Sequence, residues 1–174
     1  MKKVIVIGCP GSGKSTLSRA LRAITGLPLY HLDMILWRKD RSTMPKPEFR
    51  AKVAELLKED AWIIDGNYGS TMEMRLQACD TVIFLDYPTE VCLAGMRARR
   101  GTVRPDIPWV EDPNEPEDEE FVTFIQNYNS ESRPAVLSLL DAYPDKHAII
   151  LRSREEADAF LRGLSGEHFI KRES

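Results

Sequence analysis

Residues Gly8 to Thr16 read GCPGSGKST, and Gly8, Gly13, Lys14 and Ser15 fit the spacing G-x-x-x-x-G-K-S. That pattern suits a polyphosphate. Glycine adopts backbone conformations closed to other residues and removes side chains that would hold an anion away. The loop of Gly8, Cys9, Pro10, Gly11, Ser12, Gly13, Lys14, Ser15 and Thr16 can then turn successive amides into one cavity. A helix starting near Lys14 adds its positive dipole end. Lys14 brings a mobile full charge to the terminal phosphates of ATP, and Ser15 offers a hydroxyl to Mg²⁺. Cys9 need contribute only its backbone. Asp86 ends the apolar run TVIFLD, and an acid there can hold the metal, directly or through water.

A strand before such a loop and a helix after it separate it from an ordinary glycine-rich turn. Both are present in the pattern. KVIVIG (3–8) reads as a buried strand, and Leu17, Ala20, Leu21 and Ile24 follow at helical spacing until Gly26. Further strands are expected at 28–32, 61–65, 80–86 and 147–151. Helices are expected at about 46–59, 70–77 and 89–100, then from Phe121 onward. Pro134 is expected to kink or restart that long helix. A last helix carries Ala157, Phe160, Leu161 and Leu164, and the tail beyond Gly166 is expected to fray. Apolar runs joined by helical crossovers indicate an α/β domain with a parallel sheet covered on both faces. Such sheets bind ligands at the carboxyl ends of their strands.

The 174 residues suit a single domain spanning 1–174. A net charge of −3 and the lack of a basic stripe argue against direct binding of nucleic acid or anionic membrane. No stretch approaches the roughly 20 apolar residues of a membrane span. Cys9, Cys79 and Cys92 lack metal-ligand spacing and are odd in number, which reads as reduced thiols and a cytoplasmic protein. Residues 101–116 carry four prolines without apolar periodicity and read as a loop. Seven of the ten residues from Glu111 to Glu120 are acidic. They read as the solvated start of the long helix, where carboxylates meet the positive dipole end.

The stretches GCPGSGKST, WIIDGNY and TVIFLDYP followed by MRARRG resemble the adenylate-kinase-like P-loop kinases. HLDMILW, DGNYGSTMEMRLQACDTVIFLDYP and RRGTVRPD make the chain similar, within them, to the bacterial DNA topology modulation proteins. The resemblance covers nearly the whole chain. It implies a P-loop three-layer sandwich with strand order 2-3-1-4-5 and a short mobile lid at about 101–116. It implies ATP and Mg²⁺ as cofactors and a small-molecule acceptor. Arg97, Arg99, Arg100 and Arg104 approach or enter the lid. There guanidiniums can neutralise charge on a transferring phosphoryl group. Arg99 and Arg104 are the stronger candidates. Arg152 falls in the loop that lies beside adenine in similar kinases. Arg133 either reaches the phosphates or lies at the surface.

Asp33 and Asp65 close the second and third strand patterns and point to the acceptor. Asp33 sits where sugar-type and shikimate-type kinases place an acceptor-binding aspartate, though it could instead cap a turn. Adenylate kinases follow the third strand with Asp-Gly-Phe-Pro-Arg. Here the sequence is Asp65-Gly66-Asn67-Tyr68-Gly69, so the arginine that would meet a nucleoside monophosphate is missing. Arg75 is the candidate replacement. An alcohol acceptor would instead benefit from a carboxylate that takes its proton. Three readings therefore stand: a nucleoside or nucleotide kinase, a sugar- or shikimate-like alcohol kinase, and a nucleotide-binding regulator of DNA topology. Trp37, Tyr68 and Trp109 could stack on a base or sugar. Trp62 reads as core and His31 as structural.

Overall fold

Strands β1 (Lys3–Gly8), β3 (Trp62–Asp65) and β4 (Thr81–Leu85) are buried along almost their whole length. Continuous burial, without alternation, means that both faces of the sheet are covered. The computed structural model describes residues 1–172. β2 (Leu29–His31) and β5 (His147–Leu151) complete a sheet of order β2-β3-β1-β4-β5, with every pairing parallel. The expected strand order is therefore the observed one. β1 lies at the centre, and its last residue, Gly8, is in register with Leu85. The phosphate loop thus leaves the best-supported strand at its carboxyl end.

Helix α1 (Lys14–Thr25) starts from Gly13 and stops at Gly26, both at positive φ. It packs against β1, β2, β3 and the last helix, α7 (Arg154–Arg172). The remaining helices are α2 (Leu32–Leu36), α3 (Lys46–Leu56), α4 (Gly69–Ala78), α5 (Thr89–Ala98) and α6 (Glu119–Asp141). α2 has no counterpart in the sequence reading, because five residues are too few to show a helical period. α6 runs through Pro134 as one helix, so it does not restart there. Its start is as expected: the Asp118 side chain accepts from the Phe121 amide at 3.1 Å, with Glu119 and Glu120 in the first turn. α7 continues past Gly166 to Arg172, and the last two residues of the tail lie outside the described residues.

The phosphate loop is seated directly on α5. A Cβ on Gly11 would lie 2.0 Å from the Cys92 carbonyl oxygen, and one on Gly95 would lie 2.1 Å from the Gly11 carbonyl oxygen. Two backbones touch where only glycine fits. Gly95→Ala would ordinarily strengthen a helix interior by about 1 kcal/mol. Here the added methyl has only backbone to push against. Gly95→Ala is therefore expected to cost about 1–3 kcal/mol of stability, read by urea denaturation. A gain in stability would show that the loop and α5 are not in contact.

Candidate active site

The first glycine of the loop is held by a side chain from the far side of β1. The Gly8 amide donates to Asn67 Oδ1 at 3.1 Å, and Asn67 Nδ2 donates to the Gly8 carbonyl at 2.8 Å. Lys14 Nζ folds onto the same turn, donating to the carbonyls of Gly8 (2.9 Å) and Cys9 (3.1 Å). No side chain caps α1, so the first-turn amides of Lys14, Ser15 and Thr16 keep their donors for another acceptor. A Cβ on Gly13 would meet nothing within 4 Å, so open space adjoins those amides. The loop therefore fits a polyphosphate. Cys9 is buried, and its contact with Cys92, together with burial, pushes its thiol up and keeps it neutral.

Two carboxylates, Asp65 and Asp33, act on Lys14. Asp65, at the end of β3, is only 4% exposed and meets His31 Nδ1 at 2.9 Å. Asp33, in the first turn of α2, accepts from the Tyr68 hydroxyl. Tyr68 in turn accepts from Trp37 Nε1 at 3.2 Å and stacks edge-on to Phe49, with ring centres 5.2 Å apart. Burial pushes the Lys14 ammonium down, while Asp65 and Asp33 pull it back up. Burial pushes the Asp33 carboxyl up, against the Tyr68 hydrogen bond and Lys14. Two like charges thus share one cation in a half-buried site, an arrangement that tunes acids and bases.

Residues 101–116, the lid of the sequence reading, close over this cluster. Arg99 and Arg104 turn inward, with side chains 23% and 13% exposed, and both approach Glu111 Oε1, at 3.5 and 3.8 Å. Arg99 Nε is buried without a partner among the described residues, a donor that an anion would satisfy. Arg97 and Arg100 turn outward: Arg97 pairs with Glu117 at 2.8 Å, and Arg100 donates to the carbonyls of Asp112 and Glu115. Trp109 meets Trp37 edge-on at 5.3 Å, tying the lid to α2. Asp106, which the sequence reading passed over, lies in the lid. It is 6% exposed and accepts from Ser15 Oγ at 2.8 Å.

Arg75 and Asp86 are engaged by protein partners near the loop. Arg75 is wholly buried under the loop after β3. Its guanidinium donates to the carbonyls of Gly66, Asn67, Tyr68 and Thr71 and to the Thr71 hydroxyl. Burial pulls it down to about 10, still cationic at neutral pH. It shapes the loop, including Tyr68 at φ 30, and its complete burial leaves no exposed surface to meet an acceptor. Asp86 receives both arms of Arg133, at 2.6 and 2.8 Å. Its carboxylate is the counter-ion of an α6 arginine, and the acid beside Ser15 is Asp106. Arg152 is exposed at the end of β5, with its amide donating to Glu156 at 2.8 Å. Asn67 was also passed over in the sequence; WIIDGNY held the only signal, an amide side chain beside a strand-end aspartate.

Among the described residues, no group of three or more His, Cys, Asp or Glu could hold a metal alone. Mg²⁺ does not require one, since it is commonly held by one or two carboxylates together with substrate phosphates. The Ser15 hydroxyl beside Asp106 fits that mode. No family model matches the chain, and no curated protein matches it significantly. Solved structures do match. Shikimate kinase from Acinetobacter baumannii, in complex with shikimate, superposes with a TM-score of 0.62 at 18% identity, over 94% of this chain and 90% of that one. Shikimate kinase from Bacteroides thetaiotaomicron gives 0.61 at 17% identity, over 94% and 96%. A gluconokinase from Sinorhizobium meliloti 1021 gives 0.55 at 14% identity, over 98% and 97%. The chain shares the fold of these structures, a five-stranded parallel α/β sheet. At these identities the likeness is one of fold. No helix among the described residues is long and apolar enough to cross a membrane.

The raised carboxyl of Asp33 has a measurable sign. A raised acid adds stability while protonated and loses that contribution as pH climbs through its folded value. Asp33→Asn removes the charge but keeps an acceptor for Tyr68. The variant is expected to melt above the wild type at pH 7, with the difference vanishing as pH falls below the ordinary 3.8. Tyr68→Phe removes a hydrogen bond that lowers the Asp33 carboxyl, so its midpoint in a carboxyl NMR titration should move higher. A lower midpoint would mean that Tyr68 does not donate to Asp33.

Proposed function

We propose that this chain is an ATP- and Mg²⁺-dependent phosphotransferase whose acceptor is a hydroxyl group on a small molecule such as a nucleoside, sugar or cyclitol. The observation that carries this reading is Asp33: a half-buried carboxylate whose charge acts on Lys14, hydrogen-bonded by Tyr68, on the side of the loop where Arg75 is wholly buried. An acceptor that is itself a phosphate needs cations there. A hydroxyl needs a group to take its proton. The aromatic wall of Trp37, Tyr68 and Trp109 suits the apolar face of a sugar, cyclitol or base.

In this reading the acceptor oxygen attacks the γ-phosphorus, and the bond from that phosphorus to the β–γ bridging oxygen breaks. ADP leaves, and the hydroxyl proton passes to Asp33. Lys14 releases the two loop carbonyls and turns to the phosphates. Arg99 and Arg104 give up Glu111 to neutralise charge developing on the transferred group. Magnesium, when bound, neutralises the phosphates and fixes their geometry. The closed lid keeps water from competing as acceptor. The inward turn of Arg99 and Arg104 favours turnover over a purely regulatory nucleotide-binding role.

A coupled ATP-consumption screen over nucleosides, sugars, cyclitols and nucleoside monophosphates tests this directly. A hydroxyl acceptor is expected to give turnover, with Asp33→Asn lowering kcat by about 10²–10⁴-fold. Lys14→Ala is expected to abolish turnover. Activity confined to monophosphates, insensitive to Asp33→Asn, would overturn the acceptor assignment. Full activity in Lys14→Ala would overturn the phosphate-loop assignment.

A further inference from the structure

We infer that Asp106 carries a carboxylate from the lid to the metal, so that Mg²⁺ bound at Ser15 also bridges lid and phosphate loop. This rests on the reading of the loop as a nucleotide site. Two facts about Asp106 need a common explanation. It is a buried carboxylate, 6% exposed, and the Ser15 hydroxyl donates to its Oδ2 at 2.8 Å. Ser15 is also the loop residue whose spacing assigns it to the metal. The other contact of Asp106, Arg104 Nη1 at 3.6 Å, falls on the same oxygen. Among the described residues, Oδ1 receives no hydrogen bond.

A carboxylate placed there has two fates when phosphates arrive. It is expelled by like-charge repulsion, or a cation sits between. Asp106 lies between Pro105 and Pro108, which fix the backbone on either side. Ile107 is 7% exposed and anchors the segment, and Trp109 meets Trp37. Expelling Asp106 would mean undoing all of this. The second fate fits the spacing. Mg²⁺ takes oxygen ligands at 2.0–2.1 Å in octahedral geometry, so neighbouring ligand oxygens stand about 3 Å apart. The Ser15–Asp106 pair is already at 2.8 Å. With the Ser15 hydroxyl proton rotated away, both oxygens could face the ion with little movement of either side chain. Asp86, with both oxygens held by Arg133, offers no such opening.

The test uses the full chain and a non-hydrolysable ATP analogue, titrated by calorimetry with Mg²⁺ and again with EDTA. Mn²⁺ binding to the analogue complex is followed by electron paramagnetic resonance. The wild type is expected to bind the analogue more tightly with metal. Asp106→Asn should lose at least tenfold of that gain and weaken Mn²⁺ binding, while its EDTA affinity is unchanged or improved. Asp106→Glu, which keeps the charge, should restore part of the gain, and circular dichroism checks that both variants fold. If Asp106→Asn keeps the full gain, or binds more tightly by the same factor in both conditions, Asp106 is only a latch that nucleotide displaces and the inference fails. If the wild type binds no analogue in either condition, the nucleotide-site reading fails and takes the inference with it.

Discussion

The candidate site depends on one constraint: the backbone of the phosphate loop must be held from both sides by contacts at its back. From β3, Asn67 exchanges two hydrogen bonds with Gly8, completing β1 where its own ladder ends. From α5, the Cys92 carbonyl and Gly95 meet Gly11 at separations no Cβ would allow. The loop is therefore rigid through contacts at its back. Its front is left to amides that have no acceptor inside the helix. A set of donors fixed in this way needs no reordering to meet an anion.

Around that loop, charge is arranged in two shells that differ in freedom. Asp65, Asp33 and Lys14 are fixed by His31, by Tyr68 and by the loop carbonyls. Arg99 and Arg104 meet Glu111 at separations longer than a good hydrogen bond. Pairs that loose contribute little in themselves and are readily exchanged for a more highly charged partner. The acidic run at 111–120 thus has two uses. Part of it starts α6, and part supplies provisional counter-ions for lid arginines.

Much of this was legible in the chain. The five strands, their crossovers and the G-x-x-x-x-G-K-S loop follow from periodicity and spacing, because buried parallel strands are continuous apolar runs. Asp33 and Asp65 were visible as acids at strand ends. The partners of Arg75, Asp86 and Asp106 were not, and for one reason. Sequence places a charge along the chain, but its partner is chosen by packing. Arg75 found carbonyls of its own loop and Asp86 found Arg133, 47 positions away. Asp106 crosses 91 positions to reach Ser15. A lone acid between two prolines in a loop announces none of that.

Arg75 grips residues 66–68 entirely through main-chain oxygens. The path of this segment is consequently indifferent to what the side chain of residue 68 is, within the limits of its positive φ. Descent with change at that one position could alter the surface beside Asp33 while leaving the scaffold standing. The arrangement separates variation of that surface from the integrity of the loop beside it.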